Sequence, residues 1–391
     1  MANNITAIIP TILAKGLLAL RKNAVMPRLV NGDYSADAAK FGSVITVPVP
    51  VPNTASAVTP SNIPPAPTAQ TIPTVPVALN SWEKTNFFLT DQDLSNIDKN
   101  QSYFPMSASE AIIGLAQKLN LDLLNLYVNS FGFSGTPATT PFQIGTGNFP
   151  NAPTDATNVR KILGQQLCPS QNRRFVLDPN AEANALALPA FSTFLNTDDT
   201  GVIMEGELGR KFGFDFYMDQ DIPFHTSGTI TTGLSAQAST AQPVGTTAIL
   251  ATTAASTGAC ALVVGDIITF AGDSQTYVVT AAATQASAAS AVTVNIYPGK
   301  LIALAGGEAI SVKASHQVNL AFHRDAFAMA IRPIEDSVFK GGSEFGQMTD
   351  PQTGISLALE VSRQYKQTVW EFSILYGVAC VRPELTCRLA G

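Results

Sequence analysis

The chain has 391 residues, of which only 13% are Asp, Glu, Lys or Arg, about half the roughly 25% usual in soluble globular domains. Its net charge is −6 with no Lys/Arg block, which leaves no electrostatic footprint for nucleic-acid binding. Four cysteines (Cys168, Cys260, Cys380 and Cys387) and three histidines form no CxxC and no zinc spacing, which excludes the usual structural-metal patterns.

The length allows two or three domains. Hydrophobic residues stand at an ordinary 46%, so the shortage lies in the solvating surface. Two readings of that shortage stay open from composition. Neighbouring subunits could cover the surface, since interface centres are depleted in charge. Alternatively, the chain is a secreted β-protein rich in Ser, Thr and Ala. Isolated thiols suit a reducing compartment and are expected to be buried.

The first segment, Ile5 to Leu20, is apolar. A signal peptide is disfavoured because no positive charge precedes the run, Pro10 sits inside it and Lys15 interrupts it. No stretch reaches the roughly 18 uninterrupted apolar residues of a membrane span. Ile12, Leu13, Leu17 and Leu20 instead predict an amphipathic helix, whose stripe needs a cover, a neighbouring chain being one candidate.

Nine of the 25 prolines fall between Pro48 and Pro76. That density forbids a helix and predicts an extended or polyproline-like arm. Val44, Thr46 and Val49 before it, and Val75, Val77 and Leu79 after it, could pair as the two legs of a long hairpin. Residues 41–82 carry no Asp, Glu, Lys or Arg, whereas a disordered linker usually does.

Ser107-Ala-Ser-Glu110 reads as a capping box. Ile112, Leu115, Leu119, Leu123 and Leu126 then line one helical face, with Ile113, Leu121, Leu124 and Val128 on much of the other. Only Lys118, Asp122, Asn125 and Asn129 form a polar stripe. A helix of this kind is buried between layers. Helices at Asn158–Leu167 and Ala181–Leu188 then alternate with strands at Arg174–Leu177 and Gly213–Met218, an α+β pattern.

From His225 to Ser315 the only charged residues are Asp266, Asp273, Lys300, Glu308 and Lys313. Short β-runs at Ile267–Phe270, Thr276–Thr280, Val292–Ile296 and Ala309–Val312, with turns at Gly272-Asp273 and Pro298-Gly299, predict a small inserted all-β domain. The α+β pattern resumes at Val318–Phe322. Ile355–Val361 and Val369–Val381 predict two long paired strands joined by a polar bend at Arg363, Gln364, Tyr365 and Lys366.

Asn319-Leu-Ala-Phe-His-Arg-Asp-Ala-Phe-Ala-Met-Ala330 with Arg332-Pro333 resembles a signature of tailed-phage coat proteins. Gly354-Ile-Ser-Leu357 through Leu375-Tyr-Gly377 to Arg382-Pro-Glu-Leu385 is similar to the same family's close, and Leu208–Phe214 continuing to Ile222–His225 to its lead-in to the apical domain. The resemblance is to the major capsid (coat) protein of tailed bacteriophages, of the Johnson fold (Hong Kong 97-like), in the short-tailed-phage type with an inserted β-domain. It covers nearly the whole chain in order, and it departs most at 228–260. It implies an N-terminal arm (1–40), an extended loop with flanking strands (41–90) and a spine helix with peripheral domain (91–154). An apical domain (155–226), an inserted β-domain (227–314) and a return through the apical and peripheral domains (315–391) complete it.

The resemblance further implies hexamers and pentamers in an icosahedral shell around double-stranded DNA, inside a virion assembled in the host cytoplasm. It implies a portal protein, a separate scaffolding protein and room for a decoration or cement protein, with no membrane, cofactor or metal. Some members join subunits through a lysine–asparagine bond on the extended loop. No lysine lies between Lys40 and Lys84 here, so a non-covalent shell is expected. An encapsulin-like nanocompartment, and a tail or adhesin protein with an Ig-like module, are the alternatives.

No catalytic, cofactor-binding or metal-binding residue is expected. His323-Arg324-Asp325 copies the opening of a kinase catalytic loop, but Ala330 stands where that loop needs Asn and no glycine-rich loop accompanies it. Asp91, Asp93 and Asn96 lack the glycine and glutamate of a calcium loop. Asp198, Asp199, Glu205 and Glu207 read as a solvated acidic loop, with a cation at a subunit contact as the sharper alternative. No GxSxG, HExxH or P-loop occurs.

Overall fold

The computed structural model describes residues 12–14, 16–17, 24–34, 44–51, 55, 57–58, 60, 62, 71–92, 106–143, 154–192, 208–230, 233–237, 241–253, 260–285, 290–334, 344–350 and 354–391. The chain divides into two compact units. One comprises Met1–Arg21, Asn31–Leu115 and Phe327–Arg382, and the other Lys22–Val30, Ala116–Ala326 and Pro383–Gly391.

The first unit opens on helical residues 12–14 and 16–17, whose Ile12, Leu13 and Leu17 are buried. For these three residues the chain itself supplies the cover that the stripe needs, while Leu20 lies outside the described residues. A Cβ on Gly16 would lie 2.9 Å from Ile112 Cδ1 and 3.1 Å from Leu357 Cδ2, so the absent side chain permits the close packing. Strands β1 (Val44–Pro48) and β2 (Thr74–Ala78) pair antiparallel from Val44↔Ala78 to Pro48↔Thr74, the two legs expected from the sequence. Strand β3 (Ser81–Thr90) follows, then helix α1 (Met106–Leu124).

α1 buries Ile112, Leu115, Leu119 and Leu123 completely or nearly so, each contributing about 1.5–3 kcal/mol of apolar transfer. Its backbone starts at Met106, one residue before the predicted cap Ser107, whose side chain lies outside the described residues. The helix also stops sooner than its apolar pattern suggests. From Asn125 to Asn129 the chain tightens into a 3-10 turn, leaving Leu126 and Val128 only half-buried.

The second unit continues with β4 (Gly132–Gly135), α2 (Thr154–Gln165), β5 (Arg173–Leu177), α3 (Pro179–Ala187), α4 (Pro189–Ser192), β6 (Arg210–Lys211), β7 (Phe214–Met218) and β8 (Phe224–His225). α3 starts where Asp178 accepts from the amides of Asn180 and Ala181, with Pro179 in its first turn, an N-cap that satisfies two orphan donors.

Nine short strands come next: β9 (Thr229–Ile230), β10 (Leu234–Ala236), β11 (Ala248–Thr253), β12 (Cys260–Leu262), β13 (Ile267–Phe270), β14 (Tyr277–Val279), β15 (Ala283–Gln285), β16 (Val292–Tyr297) and β17 (Ala309–Val312). Six of them close a barrel in the order β10-β11-β16-β14-β13-β17, and β15-β12-β9 form a three-stranded sheet. Strict alternation in β11 and β16 points Ile249, Ala251, Val292, Val294 and Ile296 into the barrel core with Ile268, Phe270 and Tyr277, so the sparse charge of this stretch is no obstacle to folding. Closure leaves the barrel no free edge.

β18 (His316–His323) then joins β23 (Thr386–Ala390) and β5 in a seven-stranded sheet ordered β4-β23-β18-β5-β7-β6, with β8 on β18. In the first unit, β19 (Phe327–Ile331), β20 (Glu344–Thr349), β21 (Ser356–Gln364) and β22 (Gln367–Cys380) build a five-stranded sheet with β3. The β21–β22 hairpin turns on Tyr365 and Lys366 alone, since Gln364 already pairs with Gln367; the predicted four-residue bend is shorter because Arg363 and Gln364 stay in the strand. Thr85 Oγ1 donates to Ala111 O at 3.0 Å, and Phe87 stacks on Trp370 at 6.2 Å between centroids, so one sheet face packs on the first half of α1.

Gly377 of β22 lies so close to the preceding chain that a Cβ there would meet Ala78 O. Gly377→Ala is expected to destabilise the protein by about 1–3 kcal/mol through overpacking, measured as a lower midpoint in urea.

Candidate assembly surface

In the first unit β1 alternates exposed and buried, with Ile45 and Val47 turned inward onto Val77, Leu79, Ala328, Ala330 and Val381. Its outward positions, Val44, Thr46 and Pro48, are uncharged; Val44 is 46% exposed, and Val51, Val58 and Ile72 beyond the paired legs are exposed too. An apolar residue standing alone on a surface needs no explanation, but several on one uncharged segment do.

β3 offers a second apolar surface. Trp82 and Phe88 are each 61% exposed and share a face with Leu375 and Val369, their register partners on β22. Between them Lys84 donates to Glu371 at 2.9 Å, an exposed pair worth at most about 1 kcal/mol. At the hairpin tip Tyr365 is exposed, and Arg363 grips Asp91 through two 2.7 Å contacts. The face therefore shows aromatic rings around exposed ion pairs.

The second unit contains a buried polar network that sequence reasoning missed. Asp266 is fully buried, and its carboxylate accepts from His225 Nε2 at 2.9 Å, Val263 N at 2.8 Å and Gly228 N at 3.2 Å. Tyr127 OH lies 3.1 Å from His225 Nδ1. Burial raises the Tyr127 pKa above its usual value, so the hydroxyl keeps its proton and donates it to Nδ1, while Nε2–H donates to Asp266. Arg388, also fully buried, donates to Gly265 O at 2.7 Å and lies 5.0 Å over the Tyr127 ring. Burial pulls this guanidinium down to about 9, which still leaves it charged at neutral pH. Gly265 adopts φ +94°, and a Cβ there would lie 3.2 Å from Val128, so the turn that delivers Asp266 requires glycine.

His316 completes the cluster. It pairs in register with His225 where the chain enters and leaves the barrel region, and Ser227 N donates to Ser315 Oγ beside it at 2.9 Å. Its Nδ1 contacts Ala314 O at 2.8 Å, and its ring meets Phe133 edge-on at 5.2 Å. Burial, chiefly, holds the His316 pKa down at about 4, with the Ala314 hydrogen bond opposing and Arg388 and His225 reinforcing. Phe131, Phe133, Ile267, Val278 and Ala390 seal the same junction with apolar contacts. The Tyr127–His225–Asp266 line has the order of an acid–base relay, but each member is under 10% exposed and bonded to the others. It is built to hold a barrel on a sheet.

A second buried device sits on α1. Asn120, with no exposed surface, accepts from Met26 N at 2.9 Å and donates to Asp219 Oδ2 at 2.8 Å and Asp221 Oδ2 at 3.3 Å. Burial raises the Asp219 pKa. His323-Arg324-Asp325 is the end of β18 running into a 3-10 turn, where Asp325 N donates to His323 Nδ1 at 3.2 Å, the strand–turn role that its sequence context favours. Asp91 is held by Arg363, while Asp93, Asn96, Asp198, Asp199, Glu205 and Glu207 lie outside the described residues. Cys168, Cys260 and Cys387 are buried and Cys380 half-buried, with no disulfide among the described residues. No described helix is long and apolar enough to cross a membrane.

No protein-family model matches the chain, and no curated protein matches it. Solved structures do. The chain is similar to a structure from Mycobacterium phage Che8 (12% identity, TM-score 0.48, covering 94% of this chain and 90% of that one). It is also similar to the capsid of the cyanophage P-SCSP1u (14%, 0.44, 89% and 83%). A third is the mature capsid of bacteriophage PhiM1 (9%, 0.44, 90% and 83%).

Asp266→Ala would strand the donors of His225, Val263 and Gly228 and leave Arg388 without a nearby counter-charge. It is expected to cost about 3–5 kcal/mol, seen as a fall in thermal midpoint. His316 gives a pH signature. Its folded pKa near 4 lies below the ordinary 6.5, so its neutral ring stabilises the fold above about pH 6.5 and that contribution is lost as pH falls toward 4. Urea midpoints of the natural chain should fall across that window, and His316→Gln should flatten this part of the curve.

Proposed function

We propose that the chain is a structural shell subunit, the major capsid protein of a tailed bacteriophage, assembling as hexamers and pentamers into an icosahedral head around double-stranded DNA. The observation that carries the reading is the segment from 41 to 82, which holds no charged residue. It includes the paired β1–β2 arm, with one face seated on its own unit and the uncharged Val44, Thr46, Pro48, Thr74 and Pro76 on the other. A surface of that kind becomes stable when a copy of the same chain covers it, and extended backbone lends itself to strand addition. Proline restricts the free arm and so reduces the ordering cost on docking.

The same reading divides the chain into an N-terminal arm to 40, an extended loop to 90, a spine helix and peripheral domain to 154, an apical domain to 226, an inserted β-domain to 314, and the return to 391. Burial of a long helix under a sheet suits a shell subunit better than a tail or adhesin module. Without a lysine between Lys40 and Lys84, the loop has no amine for a covalent bond, so the shell is non-covalent. An acidic balance keeps a phosphate polymer from adhering to the wall. Scaffolding and portal proteins are the partners such a head requires, and the host cytoplasm is the place of assembly.

Negative-stain microscopy of the chain co-expressed with its scaffolding partner should show closed shells, and a denaturing gel should resolve those shells into one band near the chain mass of 41.1 kDa. Fibres, or only monomers at high concentration, would overturn the shell reading; a ladder of covalent multimers would overturn its non-covalent part.

A further inference from the structure

Strand β1 stands at an edge, and its register dictates which backbone groups that edge presents. Val49 N donates to Pro73 O at 2.8 Å, so Val49 and Pro73 form a bonded pair across the hairpin. That pair is in step with the register from Val44↔Ala78 to Pro48↔Thr74, and antiparallel strands alternate bonded and non-bonded pairs. Ile45, Val47 and Val49 therefore point their N–H groups at β2. Val44, Thr46, Pro48 and Pro50 face the opposite way in the plane of the sheet.

Two of those four outward positions have no N–H to offer. A proline there takes no bond from the hairpin and only removes a donor from the free edge. Pro76 of β2 follows the same rule, facing Thr46 in a non-bonded pair. Pro48 and Pro50 are both exposed.

The two edges of the hairpin are covered differently. On β2, a Cβ at Gly377 would lie 2.2 Å from Ala78 O, so that edge adjoins β22. β1 belongs to a two-stranded sheet, and among the described residues no strand lies on its far side. An uncovered edge is a template for a further strand, and the usual guard is a charged side chain. Residues 41–82 have none. Without its prolines, the run from Val44 to Val51 would be an unbroken, uncharged string of Val, Ile and Thr, the composition that stacks copies into fibres. Proline is the guard left to it.

We infer that Pro48 and Pro50 are stops against pairing between the β1 edges of two copies, confining strand addition there to the donors of Val44 and Thr46. The stop acts in the free subunit, whether or not that subunit then enters a shell. In the full chain, Pro48→Thr with Pro50→Thr restores both outward donors on β-favouring residues. Its urea midpoint should match that of the natural chain, while thioflavin-positive fibres form at least about tenfold faster. Negative stain tells such fibres from closed shells. Pro48→Lys with Pro50→Lys restores the same donors but adds charge, and should stay as dispersed as the natural chain. Pro73→Thr adds a donor that faces inward to Val49 O, and it too should form no fibres. If the threonine pair unfolds more readily, the single Pro50→Thr, just beyond the paired strand, carries the same test. Fibres no faster than those of the natural chain overturn the stop. So do fibres formed equally by the lysine pair or by Pro73→Thr.

Discussion

The carboxylate of Asp266 is taken completely out of water, and the base of the barrel is organised around satisfying it. Burying an ion costs several kcal/mol unless hydrogen bonds and counter-charge replace its hydration. Here two amides and an imidazole do the first, and Arg388 does the second from a strand 122 positions on in sequence. Because the donors come from β8, from the residue just before β9 and the one just after β12, and through Tyr127 from the 3-10 turn that follows α1, the requirement fixes where the barrel's entry and exit strands leave the sheet. Apolar contacts such as those of Phe133 with Ile267 tolerate sliding; a network with assigned donors does not.

A shortage of charge is the counterpart of that economy. The chain places its few ions where a structural task needs them: Asp266 and Arg388 at the junction, Asp178 on a helix start, Lys300 buried and donating to Gln242 O at 2.6 Å. The exterior carries scattered aromatic and aliphatic side chains such as Trp82, Phe88 and Leu167 beside exposed ions such as Lys84, Lys118 and Arg210.

Much of the local structure was legible because one-dimensional periodicity reports it. The 3.6-residue spacing of Ile112, Leu115, Leu119 and Leu123 placed α1, and the β-runs 267–270 and 309–312 coincide with β13 and β17. The pairing of 44–49 with 75–79 followed from β-branched runs flanking prolines. What the sequence hid is three-dimensional. Nothing in Leu385–Ala390 marks Arg388 as buried: all five residues of its strand are buried, and the cover over Arg388 comes from Tyr127 and Gly265. Asn120 sits on the apolar face of α1 and would be scored as a defect until Met26 and Asp219 are seen to bond it. The helical register also misjudged the tail of α1, because continuing apolar residues cannot signal a switch to 3-10 geometry. His225 and His316 did carry a faint cue, standing at the two ends of the charge-poor stretch, yet their pairing depends on a strand register that no local pattern encodes.

The segment from 41 to 82 holds no histidine, cysteine or tyrosine in addition to lacking charged side chains. Whatever it binds, it binds without any group that a proton or a counterion can address. Apolar contacts made by such an arm are indifferent to charge screening and acidity, and they answer to temperature, because apolar association weakens on cooling. Chilling, rather than a change of pH, is the lever to which this part of the molecule responds.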